Sequence, residues 1–376
     1  MRVLVCCDSF KGTMDAERVC GVVGRGVRGG VRGAEVDVGP ASDGGEGFAG
    51  VVTRALGGAL RRVRVSGPMG GEIEVEFGLL DGGRRAVLDA AGGCGLGLVP
   101  EERRSPGRVS SRGVGEAIAA AVGMGAREVV LGVGGTATVD GGVGVLAGLG
   151  GRAVDDAGGV VEAMGARLGE GRGVKIREGT ALEAIASGRV VLIVAVDVWN
   201  PLLGPRGTAA VYGPQKGASA DEVGRLEDGL TAFARSVGRG VERMGRGMGA
   251  AGGMSFGLAA VAGAEVRGGF EVFAEAAGLE GRLRWADAVL TGEGCVDGTS
   301  ASGKVVGEVV GMAVRVGRPA AVVAGRVEGS GGGEVLAAPV FAASGEGGVA
   351  GERDVARAAS LAGVWLAHRA GDSGCG

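Results

Sequence analysis

Five short loops carry the residues that could do chemistry. They read Asp8-Ser-Phe-Lys-Gly, Asp43-Gly-Gly-Glu-Gly, Gly134-Gly-Thr-Ala-Thr-Val-Asp-Gly-Gly, the turn at Asp197, and Thr291-Gly-Glu-Gly-Cys-Val-Asp. Each sets an acidic residue in or beside a turn, most with glycine next to it. Glycine lets backbone N–H groups approach anionic oxygens, a following helix adds its positive dipole end, and carboxylates can hold Mg²⁺. Carboxylates alone would repel a phosphate, so the set makes sense only with metal and lysine alongside. Turns favour Asp and Gly on their own account, so the weight lies in the five together.

Rare residue types point to the same places. Of the 40 basic residues 36 are Arg and four are Lys, and Lys11, Lys216 and Lys304 lie in glycine-bearing loops. Lysine offers a compact point charge suited to phosphate oxygens, where arginine's planar fork is wider. The sole Asn (Asn200), sole Gln (Gln215) and sole Tyr (Tyr212) all fall within 200–216, near Asp197 and Lys216 in sequence. An amide donates and accepts at once, so Asn200 and Gln215 are candidates to orient a ligand. An Asn-Pro turn would explain Asn200 alone, but not Gln215.

Other chemistries are excluded or unsupported. The one histidine, His368, falls in a late helical stretch and reads as a solvated residue, so two-His zinc sites are out and a His-based triad is not expected. Six cysteines without a C-x-x-C read as reduced thiols of a cytoplasmic protein. A net charge of −3 gives no footprint for nucleic acid or an anionic membrane, and 3% aromatics leaves no base-stacking platform. The apolar start before Asp8 is too short for a signal peptide, and the uncharged stretch 247–264 holds six glycines, a poor membrane span.

The elements that must position these loops alternate as strand, loop, helix. Strands are expected at 2–7, 35–38, 128–133, 190–196, 285–291, 320–324 and 339–342, with helices between most of them. That rhythm predicts a parallel sheet, whose ligand crevice lies outside the strands' carboxyl ends, and all five loops follow strands. Segments 61–66, 72–80 and 84–88 instead alternate as antiparallel hairpins. The simplest α/β architecture is a doubly wound domain from both chain ends, 1–60 and 285–376, with 61–284 inserted as a mixed α/β domain. Gly21, Gly24 and Gly26, inside a predicted helix over 15–27, each cost about 1 kcal/mol against alanine and read as compositional bias.

Two fingerprints are weak. Gly298 to Lys304 has Walker-A spacing, but Val305 stands where the metal-binding hydroxyl belongs, and the predicted strand ends seven residues earlier at Thr291. Gly132-x-Gly134-x-x-Ala137, with Asp155 eighteen residues on, would suit a nicotinamide-linked dehydrogenase but stands alone.

Seven motifs in order resemble the glycerate kinase family of the bacterial type. They are the loops at Asp8, Asp43, Gly134 and Thr291, with Asn200-Pro-Leu-Leu-Gly-Pro-Arg-Gly, Tyr212-Gly-Pro-Gln-Lys-Gly and Gly249-Ala-Ala-Gly-Gly. The resemblance implies ATP-dependent phosphorylation of D-glycerate to 2- or 3-phosphoglycerate with Mg²⁺. It implies a Rossmann- or flavodoxin-like domain from the chain ends, an inserted domain, and an active site in the cleft between them. A homodimer is compatible with it. Cys7, Val139, Trp199 and Cys295 depart from the family's usual proline, asparagine, acidic or small residue, and arginine. A ligand-binding relative without activity is therefore the alternative.

Within such a reaction the residues themselves suggest roles, Asp197 because it ends an apolar strand beside the rare-residue segment. Asp197 would accept the glycerate proton, with Asp43 second and Lys11 beside the reacting phosphate. Asp8, Glu293 and Asp297 would meet Mg²⁺ or its waters. Gly134, Gly135, Thr136, Thr138, Asp140, Gly292, Gly294 and Lys304 would bind the nucleotide phosphates. Ser9, Gly44, Gly45, Glu46, Asn200 and Gln215 would surround glycerate, whose carboxylate would meet Lys216 or Arg206.

Overall fold

The computed structural model describes the chain except residues 11, 46, 239–244, 299, 301–303, 329–336, 345–347 and 373–376. Among the described residues the strands are β1 (Arg2–Cys7), β2 (Glu35–Val38), β3 (Ala59–Ser66), β4 (Glu72–Leu80), β5 (Arg85–Asp89), β6 (Glu128–Gly132), β7 (Arg152–Val154), β8 (Gly173–Lys175), β9 (Val191–Val196), β10 (Glu265–Gly268), β11 (Ala288–Val296), β12 (Ala320–Val327) and β13 (Val340–Ala342). The chain divides into two compact units, Met1–Asp43 with Phe270–Gly376, and Gly44–Gly269.

The first unit is built on a parallel sheet in the order β13-β12-β11-β1-β2. Counted along this unit's own chain the order is 5-4-3-1-2, the flavodoxin-like arrangement, and it reverses between β1 and β11. Apolar runs such as Val3-Leu4-Val5 are wholly buried, as a strand covered on both faces requires. The helices Ala16–Gly30 and Glu352–Asp372 share one core with Val3, Val5, Leu290 and Val323. Their contact corrects the reading of the helix glycines. A Cβ on Gly26 would lie 2.3 Å from the Ala356 carbonyl oxygen, so this glycine is where the two helices touch, whereas one on Gly21 would meet only the Arg25 side chain at 3.7 Å.

The second unit carries a mixed sheet, β10-β9-β6-β5-β4-β3. The β3–β4 and β4–β5 pairs are the expected antiparallel hairpins, and β5, β6, β9 and β10 run parallel. A separate antiparallel pair, β7 with β8, lies outside it. Phe77, Ile118, Leu131, Leu146 and Phe256 are fully buried in this unit's core.

The units divide at 43/44 and 269/270, where the sequence led us to expect 60/61 and 284/285. The helix Phe48–Ala55 packs on β4 and β5, with Thr53 against Gly78, where an added Cβ would overlap its hydroxyl at 1.7 Å. The helix Leu279–Trp285 is tied to the first sheet through Arg282, whose Nε donates to Asp37 of β2 at 2.7 Å. A second difference is β11, which continues to Val296. Gly292, Glu293 and Gly294 are strand residues, not a loop, with Gly292 opposite Cys7 and Glu293 opposite Ala324. β10 was not expected at all.

Candidate functional site

In the first unit a pocket of about 480 Å³ opens at the carboxyl ends of β1 and β11, where the strand order reverses. Open α/β sheets bind ligands at this place because neighbouring connections leave in opposite directions and part the loops. Asp8, Ser9, Asp43, Glu293, Asp297 and Lys304, drawn from four separate stretches of sequence, all line it. Asp8 follows β1; its N–H donates to the Gly292 carbonyl at 3.0 Å, and its carboxylate accepts the Ser9 N–H at 2.6 Å. Lys304, at the cap of the helix Val305–Arg315, places its ammonium 3.5 Å from Asp297 and 3.9 Å from Glu293. Lys11, expected here, lies outside the described residues, as does Glu46.

Among the described residues no three acidic, His or Cys side chains converge closely enough to hold a metal by themselves. The expected trio of Asp8, Glu293 and Asp297 therefore shares a pocket without forming a cage, two of its members being drawn to Lys304. Mg²⁺ is commonly held by one or two carboxylates together with phosphate oxygens and water, and this donor set fits that mode. Gly292 and Gly294 make sheet wall: a Cβ on Gly292 would lie 2.4 Å from the Val323 carbonyl oxygen. The continuation of β11 to Val296 also brings Gly298 close behind a strand, which removes one objection to the Walker-A spacing; Val305 still lacks the hydroxyl.

In the second unit the loops after β6 and β9 meet the segment Gly44–Gly45. A Cβ on Gly134 would lie 2.8 Å from the Gly45 Cα and 3.4 Å from an Asp197 carboxylate oxygen, so only glycine fits. Gly44, at φ 95°, packs on the Ala195 carbonyl, and the Gly134 N–H donates to its oxygen at 3.4 Å. Asp89, a residue the sequence did not single out, ends β5 and accepts the Gly47 and Ala49 N–H groups at 3.1 and 2.9 Å. Its charge complements the helix N-terminus at Phe48 and anchors Gly47 from behind.

Several expected ligand contacts turn out to hold the loop together. Lys216 is only 5% exposed; its ammonium donates to the Thr136 hydroxyl at 3.1 Å and the Thr138 carbonyl at 2.9 Å. Burial pushes its pKa down to about 8, against the opposing pull of Cys94, Asp140 and Asp197. Thr136 and Thr138 are buried too, and the Gly134, Ala137 and Val139 N–H groups bond to the Gly44, Cys94 and Pro106 carbonyls, so the expected anion nest shrinks to Gly135. Asp140 has no exposed surface. It accepts the Ser111 hydroxyl at 2.6 Å and the Gly142 N–H at 2.9 Å, tying together two helix starts, and burial raises its pKa. It cannot touch a phosphate.

The rare-residue segment is a network of its own. The Tyr212 hydroxyl donates to the Asn200 Oδ1 at 2.6 Å, and the Asn200 Nδ2 donates to the Arg206 carbonyl at 2.9 Å. Asn200 thereby closes the 200–206 turn, while the Arg206 and Gln215 side chains are exposed. Asp197 is half-buried and close enough to Tyr212 to raise its pKa, though burial is the larger cause. Gly252, at φ 70°, supports the nest from below: a Cβ there would sit 2.0 Å from the Thr138 carbonyl oxygen.

With this geometry in hand, the sequence matches the family model described as Glycerate kinase family over residues 3–345. The chain belongs to the glycerate kinase family. It is 36% identical over 307 residues to a glycerate kinase of Bacillus subtilis (strain 168), covering 81% of this chain and 79% of that one. It is 34% identical over 328 residues to the glycerate 2-kinase of Escherichia coli (strain K12), covering 86% and 85%. A crystal structure from Salmonella typhimurium LT2, of a protein with the provisional name glycerate kinase 2, aligns with TM-score 0.83 at 32% identity, over 100% of this chain and 98% of that one. Membership of the glycerate kinase family makes this chain a kinase, and its substrate a small molecule.

The dehydrogenase reading falls away. After Gly132 no helix opens until Val143, and Asp155 lies in a turn, where its carboxylate accepts the Ala157 and Gly159 N–H groups at 2.9 and 2.7 Å.

Proposed function

We propose that this protein transfers the γ-phosphoryl group of ATP to the 2-hydroxyl of D-glycerate, giving 2-phosphoglycerate and ADP. The observation that carries the reading is the pocket at the sheet's reversal point, where Asp8, Glu293, Asp297 and Lys304 meet in a chain of this family. The E. coli relative named glycerate 2-kinase supports the choice of oxygen. Asp8, Glu293 and Asp297 would hold Mg²⁺ jointly with phosphate oxygens, and the bound ion neutralises phosphate charge.

In the transfer the glycerate oxygen bonds to the γ-phosphorus as the bond to the β-phosphate oxygen breaks. The hydroxyl proton passes to the Asp197 carboxylate, and ADP leaves with the electron pair. Most of the acceleration in such a reaction comes from positioning and charge neutralisation, which Lys304, Lys11 and the Gly135 backbone would supply. Lys216 being committed to the loop, exposed Arg206 is the cation for the substrate carboxylate. The five described cysteines are all free thiols, which supports a cytoplasmic setting.

An ADP-coupled assay tests this. ADP should appear only when D-glycerate, ATP and Mg²⁺ are all present, and glycerate-independent release or none would refute it.

A further inference from the structure

We propose that Arg326 supplies a guanidinium to the polyphosphate of ATP in the first unit's pocket, from the position directly across the sheet from Cys295. The inference rests on the reading of that pocket as the nucleotide site. Cys295 and Arg326 are register partners on the parallel strands β11 and β12, and both line the pocket. Registered partners in a sheet project from the same face of strands about 4.8 Å apart. A cation at either position therefore reaches the same stretch of wall, and this chain carries one on β12.

Charge makes the residue useful. The described lining holds four carboxylates, Asp8, Asp43, Glu293 and Asp297, against two cations, Lys304 and Arg326. Lys304 is already drawn to two of the carboxylates. Arg326 donates from Nε to Glu328 at 2.8 Å and also meets the Cys295 side chain, and Glu328 lies outside the pocket lining. Those contacts orient the guanidinium within the wall, and its planar fork is the shape that grips phosphate oxygens in pairs. The wall behind is tight: a Cβ on Gly325 would lie 2.5 Å from the Gly294 carbonyl oxygen.

Calorimetric titration of ATP with Mg²⁺, alongside steady-state kinetics, tests the assignment. Arg326→Ala should weaken ATP binding about tenfold or more, the worth of a charged hydrogen bond, with KM for D-glycerate unchanged. The double variant Arg326→Ala/Cys295→Arg should recover most of that loss, which a purely structural role would not. ATP binding by Arg326→Ala within twofold of wild type, or a loss the relocated arginine fails to restore, overturns it. Should Arg326→Ala not fold, Arg326→Lys keeps the charge without the fork and should still bind ATP more weakly; equal binding sinks the proposal. A wild-type protein that neither binds ATP nor phosphorylates glycerate defeats the functional reading itself, whereas an active wild type with an indifferent Arg326→Ala defeats only this step.

Discussion

Lys216 shows how a residue chosen for chemistry can serve by holding others. Its ammonium is buried against Thr136 and Thr138, with a folded pKa of about 8 against the ordinary 10.5. Below pH 8 both folded and unfolded chains hold the proton, and the cost of burying the charge is fully present. Between about 8 and 10.5 the unfolded chain binds more protons, so stability rises with pH across that window. Denaturant unfolding over that range should show a rising contribution in wild type that Lys216→Met lacks; identical slopes would contradict the burial. Asp197 carries the opposite expectation, an effect on rate and not on folding. Asp197→Asn should lower kcat by about 100-fold or more with glycerate affinity little changed, and a loss within tenfold would remove it as the base. The scarcity of Asn, Tyr and Lys in this sequence marked a segment whose polar side chains the structure bonds internally. Asn200, Tyr212 and Lys216 satisfy polar groups of buried or closely packed turns, a need that residue type alone does not separate from ligand binding.

Among the elements, the parallel strands were legible because apolar runs between turn signals have few other homes. The second half of β11 was not, since Thr-Gly-Glu-Gly has the composition of a turn and glycine is depleted in strands. Its pairing with β12 explains it, since the two backbones approach too closely for a side chain at Gly292 or, on β12, at Gly325. The helix glycines divide in the same way. Gly21→Ala should stabilise the protein by up to about 1 kcal/mol, the ordinary helix gain. Gly26→Ala should destabilise it by about 1–3 kcal/mol, because its Cβ would press on the Ala356 backbone. Urea midpoints of the two variants moving in the same direction would contradict this packing.

At the scale of the molecule, the sequence rhythm showed both chain ends in one doubly wound unit, and the sheet order bears this out. The boundaries were harder to read because Phe48–Ala55 and Leu279–Trp285 have ordinary helical patterns that do not say which sheet they cover. What joins the levels is the reversal of strand order beside Asp8 and Glu293, in a chain of the glycerate kinase family. The decisive measurement is phosphorus NMR of the protein incubated with ATP, Mg²⁺ and D-glycerate. The account predicts that the γ-phosphate signal is lost to a new phosphomonoester resonance, split into a doublet by the single proton on C2. A triplet from the two C3 protons would contradict the assigned oxygen, and the absence of any new phosphomonoester would contradict the kinase itself.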